Sequence, residues 1–81
     1  MKSSSPGQEF GAQLLAVGTA VRAMRKEIGM SQEELAHFSS IDRSHMGKIE
    51  RGERNVSFAN ICKISNALGC LPSAILLRAG L

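Results

Sequence analysis

The stretch at residues 31–53, SQEELAHFSSIDRSHMGKIERGE, constrains the fold of this chain more than any other. It predicts two short helices joined by a tight turn. Residues 32–39 carry the apolar Leu35, Ala36 and Phe38, and Ser39, Ser40 and Ile41 make the turn. Ser31 with Glu34 three positions on forms an S-x-x-E box, in which a hydroxyl and a carboxylate each satisfy a backbone N–H that a helix start leaves unpaired. Asp42 offers the same chemistry to the next helix, where Met46 and Ile49 stand three apart on one face. Arg43, Ser44, His45 and Lys48 lie opposite them. Such a helix buries its apolar stripe and turns hydrogen-bond donors outward, which is the requirement for reading base edges in the major groove of DNA.

The rest of the chain is helical by the same criteria. Leu14, Val17, Val21, Met24 and Ile28 recur at three- and four-residue steps, predicting a helix from about residue 10 or 13 to 28 and closed by Gly29. Gly18 inside that helix either weakens it or permits a close contact. Ser57 caps a fourth helix whose inward positions are Phe58, Ile61, Ile64 and Leu68, ending at Gly69. Pro72 suits the first turn of a fifth helix, which runs to about residue 79. No segment alternates with period two, so no strand is expected. Residues 1–9, serine-rich with a proline and a glycine, read as a flexible tail, and residues 10–81 as one all-α domain.

An 81-residue chain buries a modest share of its surface, so tight helix packing or oligomerisation has to supply stability that disulfides or a metal supply elsewhere. Cys62 and Cys70 are too few for a disulfide framework and belong to no zinc-ligand pattern; the expectation is two buried thiols in a reducing cytoplasm, with no metal or other cofactor. No run is apolar and long enough for a membrane span or a signal-peptide core. The formal net charge of +3 is compatible with nucleic acid. Its distribution says more, because Arg43, Lys48, Arg51 and Arg54 crowd one segment, together with the acids Asp42, Glu50 and Glu53. His37 and His45 have no neighbouring nucleophile or acid arranged for catalysis, so no enzyme activity and no small-molecule ligand are expected.

The runs RAMRKEIGMSQEELA and IDRSHMGKIERGERN, followed by NICKISNALG and LPSAIL, resemble the phage-repressor and Cro class of helix-turn-helix regulators over residues 17–77. Within that class the small size and the D-R-S-H-M segment look most like the controller proteins of restriction-modification systems. The resemblance implies a compact five-helix, lambda-repressor-like domain. It also implies a transcriptional regulator acting as a homodimer on a pseudo-palindromic operator in double-stranded DNA, reading it with the helix at about residues 43–51. An antitoxin or phage-type repressor of the same fold, or an interaction module that has lost DNA binding, are the alternatives.

Arg43 stands at the end of the third helix that meets base edges in this class, where a bidentate bond to guanine discriminates by roughly 1–3 kcal/mol. A phosphate contact or a solvated arginine is the competing reading. Ser44 suits a base edge or a thymine methyl, and His45 a base, a phosphate or packing against a sugar; simple exposure is the alternative for each. Lys48 shares their face and suits a phosphate better than a base, being a flexible point charge. Gly47, which costs ~1 kcal/mol relative to alanine in a helix interior, either lets backbone approach DNA or carries no role. By resemblance, Gln32 bonds a backbone phosphate at the start of the second helix. Arg51, Arg54 and Asn55 suit flanking phosphates, with a minor-groove base as the alternative for Arg54. Also by resemblance, Arg25 and Glu50 form a buried structural ion pair.

The chain departs from the class where Ser40 replaces a frequent glycine, where Leu71 replaces a polar cap and where Ala74 replaces a capping-box glutamate. The last two leave LPSAILLRAGL unusually apolar. Ile75 and Leu76 are expected to face the core, and Leu71, Leu77 and Leu81 a two-fold interface with a second copy.

Overall fold

The computed structural model describes residues 9–81; of the expected tail, all but Glu9 lies outside the described residues. Among the described residues five helices are assigned: α1 (Gly11–Glu27), α2 (Gln32–Ser39), α3 (Arg43–Glu50), α4 (Phe58–Leu68) and α5 (Pro72–Arg78). No strand occurs among the described residues. α1 lies against α3 and α5, while α2 packs on α3 and α4. Their common core is built on Val21, Leu35, Met46, Ile49, Ile64 and Ile75, all buried. No single helix among the described residues is long and apolar enough to cross a membrane.

The helix starts follow the local chemistry. The Ser31 hydroxyl accepts from the Glu34 N–H at 3.0 Å, and the Glu34 carboxylate accepts from the Ser31 N–H at 2.8 Å, completing the capping box. The Ser31 N–H, and then the Ser31 hydroxyl, hold the Glu34 carboxyl below the usual carboxylate range. Ser57 caps α4 through the Asn60 N–H, whereas α5 begins at Leu71 with no side-chain cap.

The helix ends share one device. Each closes with two crossed backbone bonds around a residue in the left-handed region, the Schellman arrangement. Gly29, Gly52, Gly69 and Gly80 fill that position after α1, α3, α4 and α5. After α2 it is filled by Ser40, at φ 56°. There the N–H groups of Ser40 and Ile41 bond the carbonyls of His37 and Ala36, and Ile41 is driven into the core. A Cβ in that conformation costs roughly 1 kcal/mol, so the turn between α2 and α3 carries strain that the other four helix ends avoid. The same turn buries the Ser39 hydroxyl with no hydrogen-bond partner.

Gly18 permits a close contact. A Cβ built there would stand 2.3 Å from the Ile49 carbonyl oxygen and 2.6 Å from that of Glu50. The α1 backbone thus presses directly on the C-terminal end of α3. Gly52, just beyond α3, meets α1 in the same way one turn earlier, at Leu15.

Several apolar residues do not lie where periodicity puts them. Phe58, expected inward, is 71 % exposed, and Ile28 and Phe38 are exposed as well. Phe58 opens α4 and Ile28 follows the last turn of α1, so each extends a stripe past the segment that neighbouring helices cover. Leu76, expected in the core, is exposed; on so short a helix only Ile75 reaches the interior fully. Cys62 and Cys70 are half-buried and unpaired rather than fully buried, and partial desolvation pushes the Cys70 thiol up.

Gly18→Ala is expected to destabilise the fold by about 3 kcal/mol, the upper range for forcing atoms into a packed contact, although alanine is the better helix former. Denaturant unfolding checks this; an unchanged midpoint would mean that α1 and α3 are free to separate.

Candidate nucleic-acid interface

The position of α3 is set from both ends. At its start Asp42 accepts from the N–H groups of Ser44 and His45 at 3.1 and 3.4 Å, and from the Ser44 hydroxyl at 2.6 Å. The Ser44 hydroxyl bond, then the two backbone bonds, hold the Asp42 carboxyl below its usual range. At the other end Glu50 is 5 % exposed and faces Arg25, which is 7 % exposed. Arg25 Nε donates to Glu50 Oε2 at 2.7 Å and Nη2 to Oε1 at 2.9 Å. Its third nitrogen, Nη1, donates to the Met30 carbonyl at 3.0 Å. The carboxylate raises the already high Arg25 pKa, so the guanidinium stays charged despite burial.

Gln32 joins this network. Its amide Nε2 donates to Glu50 Oε1 at 3.0 Å. The side chain assigned by resemblance to a phosphate is therefore also tied to the end of α3, and it remains only half-buried. Three helices meet on one carboxylate: the last turn of α1, the first of α2 and the last of α3.

The other residues singled out in the sequence are distributed as follows. Arg43 and Ser44 are exposed in the first turn of α3; His45 and Lys48 are half-buried further along. The Ser44 hydroxyl proton is committed to Asp42, which leaves its oxygen as an acceptor. Arg51 is exposed and paired with Glu53 at 2.8 Å. Arg54 and Asn55 are exposed in the loop before α4. Leu71, Leu77 and Leu81 line one apolar groove at the C-terminal end of the fold, together with Ser73, Ala74 and Leu76.

Sequence reasoning passed over Arg22. It lines a concavity of about 360 Å³ with Arg25, Gln32, Glu50 and Arg51. The available signal was its spacing: Arg22 precedes Arg25 by three residues and so shares its face of α1. The Arg51–Glu53 pair was equally readable as a short-range contact of opposite charges.

A helix-turn-helix family model matches residues 21–75, from the middle of α1 into α5. The chain belongs to the helix-turn-helix family. This regulator is 48 % identical over 63 residues to control protein C.BamHI of Bacillus amyloliquefaciens, covering 76 % of this chain and 78 % of that one. It is 38 % identical over 61 residues to control protein C.SmaI of Serratia marcescens, covering 75 % and 73 %. The crystal structure of the restriction-modification controller protein C.AhdI from Aeromonas hydrophila superposes with a TM-score of 0.78 at 45 % identity, over 79 % of this chain and 97 % of that chain. The protein is a DNA-binding transcriptional regulator of the restriction-modification controller type.

Arg25→Ala and Glu50→Ala are each expected to cost about 3–5 kcal/mol, because either leaves a buried charge unpaired. The double variant should lose less than the sum. A double-mutant cycle by denaturant unfolding measures this, and a coupling energy near zero would deny the pair its structural role.

Proposed function

We propose that this regulator acts as a homodimer on a pseudo-palindromic operator and reads the major groove with α3. The observation that carries the reading is the exposed first turn of α3, with Arg43 and Ser44 outermost, on a helix clamped at its far end by the Arg25–Glu50 pair. A base-reading side chain needs a fixed platform, since a bidentate guanidinium discriminates only when its approach is set by the backbone behind it. Lys48, Arg51, Arg54 and Asn55 extend from the same helix into the following loop, where phosphates flanking the groove would lie. Gln32 adds a neutral phosphate contact at the start of α2.

The homodimer reading is supported by the C-terminal groove. Leu71 and Leu77 are 71 % and 80 % exposed, with Leu81 beside them, an apolar cluster that a monomer gains nothing by showing to water. A two-fold axis through this surface repeats α3 once in each half. Half-sites about one helical turn apart, ~34 Å, then require a palindromic operator.

Arg43→Ala is expected to lose sequence preference more than general affinity. The operator is first obtained by selection from a random DNA pool, and binding to it and to a scrambled duplex is compared at fixed salt. Equal losses on both duplexes would reduce Arg43 to a phosphate contact.

Sedimentation equilibrium across a concentration series is expected to give a dimer, and Leu71→Glu or Leu77→Glu a folded monomer with weakened operator binding. A wild-type monomer throughout, with both variants binding normally, would remove this interface.

A further inference from the structure

The concavity between α1 and the start of α2 is lined by the guanidinium groups of Arg22, Arg25 and Arg51, the Gln32 amide and the Glu50 carboxylate. Beside it, a Cβ built on Gly47 would be 3.2 Å from Arg51 Nη1 and 3.4 Å from the Gln32 amide oxygen Oε1. The Arg51 guanidinium thus folds back over α3 toward the Gln32 amide. Arg22 lines the same concavity from α1.

The three guanidinium groups around this space are not equivalent. Arg25 is neutralised by Glu50 and spends all three nitrogens on protein acceptors. Arg51 shares its charge with Glu53 at the rim. Arg22 is exposed and makes no ion pair or side-chain hydrogen bond among the described residues. The Gln32 amide turns its oxygen toward Gly47 and gives an N–H to Glu50, so the guanidinium groups of Arg22 and Arg51 are the donors that an oxyanion, which accepts from several directions, would meet at the edge of this hollow.

We propose that Arg22, on the first helix and outside the helix-turn-helix, is a phosphate-binding residue, placed with the Arg51 guanidinium around the hollow that Gln32 also lines. The ligand is a backbone phosphate of duplex DNA. This rests on the DNA-binding reading above and extends the contact surface from α2 and α3 onto α1. A phosphate held between α1 and α2 orients the whole domain on the duplex, because both helices are locked to α3 through Glu50. The contribution is independent of base sequence.

The test compares wild type, Arg22→Ala and Arg22→Lys on the selected operator and on a scrambled duplex across a salt series, by fluorescence anisotropy. Thermal unfolding of each variant serves as the folding control. Arg22→Ala should lower affinity by the same factor on both duplexes and make the slope of log affinity against log salt shallower by about one, the increment for a single phosphate contact. Arg22→Lys, which keeps the charge, should retain the wild-type slope. Wild-type affinity and slope in Arg22→Ala, with wild type binding both duplexes, would overturn the role of Arg22 and leave the DNA reading standing. A loss confined to the operator would make Arg22 a base contact and equally overturn the phosphate contact. Failure of wild type to bind any duplex at low salt would overturn the DNA reading and the phosphate contact together.

Discussion

The carboxylate of Glu50 is the point on which this fold depends. It accepts three hydrogen bonds, two from Arg25 and one from Gln32, and it is nearly inaccessible to water. Burying two charges is costly, and a pair of well-packed apolar residues often stabilises a core as much. What such residues lack is direction. A bidentate guanidinium–carboxylate pair has one geometry, and here it relates the end of α1 to the end of α3 while the Gln32 amide adds the start of α2. Arg25 also donates to the Met30 carbonyl, tying down the chain between α1 and α2. This network gives α1, α2 and α3 one shared set of directed bonds, which apolar packing does not supply.

Close backbone approach works with the ion pair. Gly18 lets α1 touch the last carbonyls of α3, and Gly52 continues the contact as the chain turns away. Charge is held at one end of this seam and shape along the remainder. The α2–α3 turn is the opposite case, with Ser40 in a left-handed conformation and the Ser39 hydroxyl buried without a partner. The turn is kept in place by what it delivers on either side, Ala36 and Ile41 in the core and Asp42 at the start of α3.

Four of the acids near the polar face are engaged internally, while Glu33 stays exposed in the first turn of α2. Glu34 caps α2, Asp42 caps α3, Glu50 is buried against Arg25, and Glu53 pairs with Arg51. Backbone bonds from Ser31 lower the Glu34 carboxyl, and the Arg51 guanidinium lowers that of Glu53, so both remain charged and occupied at neutral pH. The outward cations Arg22, Arg43, Lys48 and Arg54 are left without carboxylate partners among the described residues.

The sequence alone determined whatever is decided within about one helical turn. The S-x-x-E box at Ser31, the Asp42 and Ser57 caps, Pro72 at the start of α5 and the glycines closing helices are interactions between residues at most five positions apart, so spacing suffices to read them. The five helices and the three-residue step of Met46 and Ile49 belong here too. The Arg25–Glu50 partnership spans 25 residues and was accessible only through resemblance to a family whose fold brings those positions together. Tertiary structure decided the rest, because it depends on where helices cross rather than on what each contains. Periodicity points Phe58, Ile28 and Leu76 inward, but only the crossing points show that the neighbouring helices stop short of them. Gly18 has the same local meaning in any helix until a second backbone arrives 2.3 Å from where its Cβ would be. Arg22 becomes part of a hollow with Gln32 and Arg51 only after α1, α2 and α3 are locked on Glu50. Burial and convergence are properties of the assembled helices, and no single helix encodes them.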